Sequence, residues 1–399
     1  MSVARSQQEV FLRLLRSLRP RWHRELALPT RIQRLLSSER SFGARDRRLY
    51  RELIYTTLRY LPWIEPWLDR EPERAAKIAA WLAASNRDTR SYRADICGDW
   101  PTIDPLALRA RFLQADPTEL LPAWFRDECP DVFAPSELAA QLARAPLWLR
   151  LQTDRPALVM DEFTAAEWRT TQSTELSSAW RVHGEADVTR STSYAKGLVE
   201  VQDLGSQFVL ESLGLEPGGR WLDACAGAGG KTLQLARLLG PGGMVEAHDI
   251  RPAALDELLQ RAERAGLDNV RTVAQPARAA YDGVLVDAPC SGSGTWRRAP
   301  HLKWATTPAL IGERAMVQQA LLEQFAGSVG PGGRLVYATC SLSRRENAGV
   351  VSAFLAVHRE FAPEPLARSF GFKPVNEALT ILPARHDTDG FYVAALRRR

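Results

Sequence analysis

Lysine is scarce in this 399-residue chain. Lys77, Lys196, Lys231, Lys303 and Lys373 are the whole complement, against 52 lysines and arginines together. Nearly all the positive charge is therefore arginine, and each retained lysine marks a position where a compact or deprotonatable amine is worth testing. Cysteine is scarce as well. Cys97, Cys129, Cys225, Cys290 and Cys340 are odd in number, widely spaced and free of any Cys-x-x-Cys. That argues against a disulfide framework and a structural zinc site, and points to a reducing, cytoplasmic setting. No stretch approaches the roughly eighteen uncharged apolar residues of a membrane span. The opening MSVARSQQEVFLRLLRSLRPRW is broken by arginines and lacks the apolar core and small-residue cleavage site of a signal peptide. Internal repeats and low-complexity segments are also missing.

What is present is the composition of a globular protein, 45% hydrophobic and 25% charged, with length for two or three domains. The net charge of +5 is compatible with a nucleic-acid partner without demanding one.

Residues 1–140 carry helical periodicity, as in Val10-Phe11-Leu12-Leu14-Leu15 and Leu49-Leu53-Ile54-Leu58. Asp46 is the expected N-cap of the second of these helices. That helix offers Arg45, Arg47, Arg48, Arg51 and Arg59 beside Tyr50, Tyr55 and Tyr60. Arginine with aromatics suits RNA backbone contact and base stacking; a solvated face with tyrosines at the core edge is the plainer alternative. Residues 141–200 read as a small α+β module, with strands over Trp148–Val159 and Ala179–Val188 and a helix over Asp161–Thr170. From residue 201 to 399 strands alternate with helices, which predicts a doubly wound parallel sheet.

Within that region, Val284-Leu285-Val286 runs into Asp287-Ala288-Pro289-Cys290, and Leu335-Val336-Tyr337 into Ala338-Thr339-Cys340. In a parallel α/β sheet such strand ends open into the ligand crevice, so two thiols and a carboxylate would share one cleft. Upstream, Asp223-Ala224-Cys225-Ala226-Gly227-Ala228-Gly229-Gly230-Lys231-Thr232 joins the first strand to its helix, and its glycines let a ligand approach the helix N-terminus. A phosphate-binding P-loop is excluded, because Cys225 stands where that motif needs glycine. Asp249, about twenty residues beyond Gly229, suits the two hydroxyls of a ribose. The sheet is thus expected to hold a nucleoside cofactor, and the two thiols favour S-adenosylmethionine over NAD.

Paired thiols suit one chemistry well. A pyrimidine C5 is a poor nucleophile until a thiolate adds at C6; C5 can then take an electrophilic methyl group, a base removes the C5 proton, and the thiolate leaves. A cation such as Lys231 would favour the thiolate, and Asp287 would hydrogen-bond N3 or the amine of cytosine. The base must be unstacked to reach the thiol. Spacing alone leaves open which cysteine attacks.

These residues resemble a known family. Asp-Ala-Pro-Cys-Ser-Gly-Ser-Gly (287–294) and Tyr-Ala-Thr-Cys-Ser-Leu (337–342), followed by Glu346-Asn347, are similar to the paired signatures of RNA cytosine-C5 methyltransferases. The likeness extends to residues 223–232, to Val201-Gln202-Asp203-Leu204-Gly205-Ser206-Gln207, to Trp296-Arg297-Arg298-Ala299-Pro300 with Lys303-Trp304, and to Asp389-Gly390-Phe391-Tyr392. The helical first segment resembles the NusB-like domain of the bacterial 16S rRNA branch. The resemblance implies a Rossmann-like S-adenosylmethionine-dependent methyltransferase domain over 201–399, preceded by an all-helical NusB-like domain (1–140) and the small module (141–200). It implies Cys340 as nucleophile and Cys290 in elimination and release. It also implies a cofactor site of Cys225, Ala226, Gly227, Ala228, Gly229, Gly230, Lys231, Asp249 and Asp287. The expected substrate is RNA, with 16S rRNA ahead of tRNA; a non-catalytic RNA-binding assembly factor is the rival from another class. A monomer with no metal and no membrane partner is expected. The chain departs from the pattern at Ala228, where the family has proline, and at Pro276, where it has an acid near the adenine, with Gln275 as a possible substitute. It departs also at His301, where aspartate is usual; an exposed loop position is expected there in preference to an RNA-phosphate contact.

Overall fold

The structure, a computed structural model, describes residues 2–399 and divides them into two compact units. The first comprises the chain up to Ala143 together with Trp296–Pro308, and the second Arg144–Thr295 with Ala309–Arg399. The sequence-based boundary near 140 thus falls at 143/144. The small module shares a unit with the region of alternating strands and helices, and Trp296–Pro308, expected in the last domain, belongs with the helices of the first.

In the helical unit, Val3–Leu18, Leu28–Ser38, Ala44–Arg59 and Pro72–Leu82 bury Phe11, Leu15, Ile32, Leu53 and Ile78 in one core. Asp46 is not the N-cap of its helix: Gly43 holds that place, and the Asp46 carboxylate accepts from the Gly43 N–H at 3.1 Å from the third helical position. The arginine–tyrosine pattern divides between core and surface, with Arg45, Arg48 and Arg51 exposed. Tyr50 and Tyr60 are buried, Arg48 forks onto Asp88 at 2.7 and 3.0 Å, and Arg47 donates to the Leu36 carbonyl. The returning segment packs by the same means. Trp296 lies against Phe125 (ring centroids 4.5 Å apart), Trp304 Nε1 donates to Leu58 O, and Lys303 Nζ to Arg59 O (2.9 Å) and Leu120 O (3.0 Å). Burial and the nearby Arg59 charge push the Lys303 amine well below its ordinary value. His301 is buried in the short helix Pro300–Ala305, and that burial pushes its imidazole down to about 4. Both expectations for His301, exposed loop and phosphate contact, fall with that burial.

The second unit holds two sheets. The smaller is antiparallel in the order β2 (Thr170–Gln172), β3 (Ala179–Val182), β1 (Leu147–Leu151), β4 (Val199–Val201). β1 stops eight residues short of the expected strand end, because Pro156 starts a helix (Pro156–Ala165) where its fixed φ suits the first turn.

The larger sheet has eight strands. β5 (Gly219–Asp223), β6 (Gly243–Ala247), β7 (Val270–Thr272), β8 (Tyr281–Asp287) and β9 (Val329–Thr339) are parallel, in the order β9-β8-β5-β6-β7. β12 (Phe391–Arg398) then pairs antiparallel with β9, and β10 (Phe361–Glu364) and β11 (Leu379–Ile381) pair antiparallel with β12. Alternate side chains feed two cores. Val284, Val286, Leu335 and Tyr337 face one layer with Leu322 and Phe354; Leu285, Val336 and Ala338 face the other with Phe208 and Leu235. The chain order reverses between β5 and β8, which creates the crevice where α/β sheets bind ligands. No helix among the described residues is long and apolar enough to cross a membrane.

Candidate active site

β8 and β9 run side by side with Asp287 opposite Ala338, so their two following loops start together. Ala288 N–H donates to Ala338 O, and Gly294 N–H to Cys340 O, both at 2.9 Å. Neighbouring parallel strands therefore deliver both cysteines to one point: Cys290 Sγ lies 3.3 Å from Cys340 Sγ. The sulfur of Cys340 and the burial of the site push the Cys290 thiol well above its ordinary value. Cys290 is thus held as the thiol.

The helix Gly230–Leu239 brings Lys231 to the same place, where its Nζ donates to Asp287 Oδ2 at 2.8 Å. Burial by itself lowers the Lys231 pKa, but Asp287, Cys340 and Asp223 outweigh it and the net shift is upward. Lys231 therefore remains an ammonium beside Cys340. Among the lysines singled out in the sequence, the one held toward neutrality is instead Lys303, in the helical unit.

The two thiol loops are pinned by Glu346, which is fully buried. Its Oε1 accepts from Ser291 N–H (2.7 Å) and Gln318 Nε2 (3.0 Å), and its Oε2 from the hydroxyls of Ser291 (2.5 Å) and Ser341 (2.6 Å). Asn347 Nδ2 donates to Ser341 O, and Thr339 Oγ1 to Asn347 Oδ1. A second staple joins distant motifs. Asp203 Oδ1 accepts from Gly205 N–H, the Thr388 hydroxyl and Asp389 N–H, while Gly390 N–H donates to Gly294 O at 2.8 Å. A Cβ on Gly294 would meet Gly390 O at 2.1 Å and Cys340 O at 2.8 Å, so only glycine lets these three segments close. Glu346, Asp203, Asp389 and Gly390 stood out in the sequence only as parts of motifs. Gln318, on the helix Pro308–Ala326, carried no local signal at all.

Across the crevice, Cys225–Gly229 leads from β5 into the helix. Ala226 N–H donates to His248 O and Gly227 N–H to Asp249 Oδ2 (2.8 Å). Gly227 and Gly229 have φ of +53° and +90°. Arg251 donates to both carboxylate oxygens of Asp249 and holds it down to about 2, with burial opposing and the Gly227 N–H assisting. Arg251 is largely exposed, so a ribose can displace it. Asp223, at the end of β5, is buried: Oδ2 accepts from Thr232 at 2.7 Å, whereas Oδ1 has no partner among the described residues. Burial raises the Cys225 thiol, which marks it as a packing residue in this loop. Gln275 is exposed in the loop after β7 and Pro276 half-buried. Ile250, missed in the sequence, is 89% exposed next to Asp249 and offers an apolar face to a flat base. No group of three or more potential metal ligands occurs among the described residues.

Residues 210–397 match the family described as "16S rRNA methyltransferase RsmB/F". A ribosomal RNA small subunit methyltransferase B of Xanthomonas campestris is 32% identical over 338 residues, 82% of this chain and 72% of that one. A probable ribosomal RNA small subunit methyltransferase B of Bacillus subtilis is 29% identical over 84% of this chain and 80% of its own. A probable counterpart in Synechocystis is 36% identical, but over only 53% of this chain and 50% of that one. Among solved structures, one titled "Crystal Structure of PH0851" superposes with a TM-score of 0.72 at 23% identity, over 92% of this chain and 93% of its own, a likeness of fold. With its two cysteine loops joined on adjacent strands and the Xanthomonas relative, 32% identical, aligned over most of both chains, this chain belongs to the RsmB/F family of 16S rRNA methyltransferases.

Proposed function

We propose that the protein methylates C5 of a cytosine in 16S rRNA, with Cys340 as nucleophile and Cys290 as its partner in elimination. The observation that carries this is the 3.3 Å pair of thiols, one held protonated and the other beside the Lys231 ammonium. S-adenosylmethionine supplies the electrophilic methyl group. The loop fits it on two counts: Asp223 Oδ1 is a buried acceptor without a partner, suited to an ammonium, and the space beside Gly230 is open, where a Cβ would touch nothing within 4 Å. Cys225–Gly230 would line the cofactor, Asp249 would take the ribose, and Ile250 the adenine face.

Lys231 sets its ammonium beside Cys340 and keeps Asp287 oriented. Asp287, about one-third exposed, turns its free edge to the N3 and amine side of an unstacked cytosine. Cys340 sulfur adds to C6, and the resulting electron-rich C5 takes the methyl group. A water molecule takes the C5 proton, its bonding electrons re-form the C5–C6 double bond, the S–C6 pair returns to the Cys340 sulfur, and the Cys290 thiol is placed to hydrogen-bond to that departing thiolate. The helical unit and the small α+β module are assigned to gripping RNA, and the protein acts as a cytoplasmic monomer without metal.

Incubating labelled S-adenosylmethionine with unmodified small-subunit rRNA tests the reading. Wild type transfers label, Cys340→Ala does not, and Cys290→Ala accumulates a protein–RNA adduct that survives denaturation. Transfer to tRNA alone would reject the rRNA assignment; activity in Cys340→Ala with loss in Cys290→Ala would reverse the roles of the thiols.

A further inference from the structure

The cofactor loop is restrained at one point by a residue that no part of the chemistry uses. Ala228 sits between Gly227 and Gly229, both with positive φ, at the position where the resembled family carries proline. Its N–H donates no hydrogen bond among the described residues, and its φ is outside the left-handed region. Two positive-φ glycines flanking an alanine widen the conformations open to the loop, in which Gly229 N–H donates to Ala226 O at 3.0 Å and the Ala228 carbonyl points outward. One contact fixes the carbonyl: Arg261 Nη1, from the helix Pro252–Arg264, donates to Ala228 O at 2.5 Å. The other arm of the same guanidinium, Nη2, donates to Glu200 Oε2 at 2.7 Å.

Glu200 is buried on β4 of the small sheet, where Arg264 also donates to its Oε1 at 2.8 Å. Arg264 is further tied to the ring of Tyr194, 4.4 Å from its centroid. Glu200 therefore keeps a cation when Arg261 is removed, but the loop loses its tether. The planar fork of arginine spans both acceptors at once, which a single ammonium does not reproduce.

We infer that Arg261, held by Glu200, is a positioning residue for the cofactor loop, supplying the conformational restraint that a proline at position 228 would supply covalently. The small α+β sheet thereby acquires a role in cofactor affinity through Glu200. The inference rests on the proposal that this loop holds S-adenosylmethionine. Preorganising a loop raises affinity by removing the ordering cost from the binding step. Its loss therefore appears in the dissociation constant and in the KM for the cofactor, while kcat at saturating cofactor stays within about twofold.

The experiment measures S-adenosylhomocysteine binding by calorimetry for wild type, Arg261→Met, Ala228→Pro and the double variant, with thermal melts alongside. Methionine keeps the buried stem and removes the fork. Arg261→Met is expected to bind about tenfold more weakly, with a melting temperature close to wild type. With proline at position 228, the same Arg261→Met change should cost no more than about threefold. Glu200→Gln should weaken binding in the same direction by a smaller factor, which serves if Arg261→Met folds poorly. Unchanged affinity in Arg261→Met overturns the inference. So does an equal loss of affinity on Arg261→Met with alanine and with proline at position 228. Absence of binding by folded wild type overturns the cofactor assignment itself, which separates that failure from the others.

Discussion

Asp223→Asn should make the protein more stable and a poorer enzyme, and the gain should depend on pH. The Asp223 carboxyl is buried with one oxygen unpartnered, and burial pushes it from 3.8 up to about 7, with Thr232 and Lys231 pulling the other way. Below pH 4 both folded and unfolded chains carry the proton, and the group contributes nothing. Between pH 4 and 7 the unfolded chain gives up its proton while the folded one keeps it, so stability falls as pH rises; above pH 7 the loss is complete. At 1.36 kcal/mol per pKa unit the cost reaches about 2 kcal/mol at pH 5.5 and roughly 4 kcal/mol at pH 8. Local relaxation lowers these ceilings, so a plateau of about 2–4 kcal/mol is expected. Asparagine carries no charge at any of these pH values and still accepts from Thr232. Urea unfolding of both proteins from pH 4.5 to 8 should therefore show a difference that opens with pH and levels off near 7. The same substitution should weaken S-adenosylmethionine binding by about tenfold, because a charge-assisted contact to the ammonium is lost. A variant no more stable than wild type at pH 8, or a gain independent of pH, would refute the account of this buried carboxylate.

Glu346→Ala strands four donors, each costing about 1–3 kcal/mol, and should unfold at markedly lower urea, whereas Glu346→Gln keeps one acceptor oxygen and lets the two hydroxyls reverse, so it should lose only about 1–2 kcal/mol. Equal melting of the Ala and Gln variants would contradict this. Gly294→Ala has no room against backbone atoms of Gly390 and Cys340, and should cost at least about 2 kcal/mol and most methyl transfer; a fully active variant would show that the loops yield. Lys303→Met removes the amine that donates to the carbonyls of Arg59 and Leu120 and should destabilise the helical unit by about 1–3 kcal/mol, read by thermal melting. An unchanged melt would mean that the amine serves no structural end.

The sequence made the parallel strands and both thiols legible because each signal is local. An apolar run ending in Asp287 or Thr339 can be read by eye, and the alternation of strands with helices gives their parallel sense. The 3.3 Å separation could not be read, since it comes from the register of β8 against β9 and from Glu346 and Gln318 reaching in from other elements. β10 and β11 escaped notice because they are short and β10 contains Pro363, which an edge strand tolerates. His301 and Lys303 are charged-type residues in a turn-rich stretch, and their burial depends on partners more than 180 residues away. Propensity has no access to such contacts.

The return of Trp296–Pro308 to the helical unit has a consequence during synthesis. Lys303 reaches carbonyls at Arg59 and Leu120, and Trp296 the ring of Phe125, so the helices lack these partners until the ribosome has moved far downstream. At about 5–20 residues per second, the roughly 165 residues between Ala143 and Pro308 take on the order of ten to thirty seconds. Throughout that interval the nascent helical unit carries an open apolar seam around Phe125 and Leu58. Chaperone capture should therefore concentrate on chains stalled before residue 296 and fade once residue 308 has left the exit tunnel. A gene split at the 143/144 boundary would leave that seam open for good.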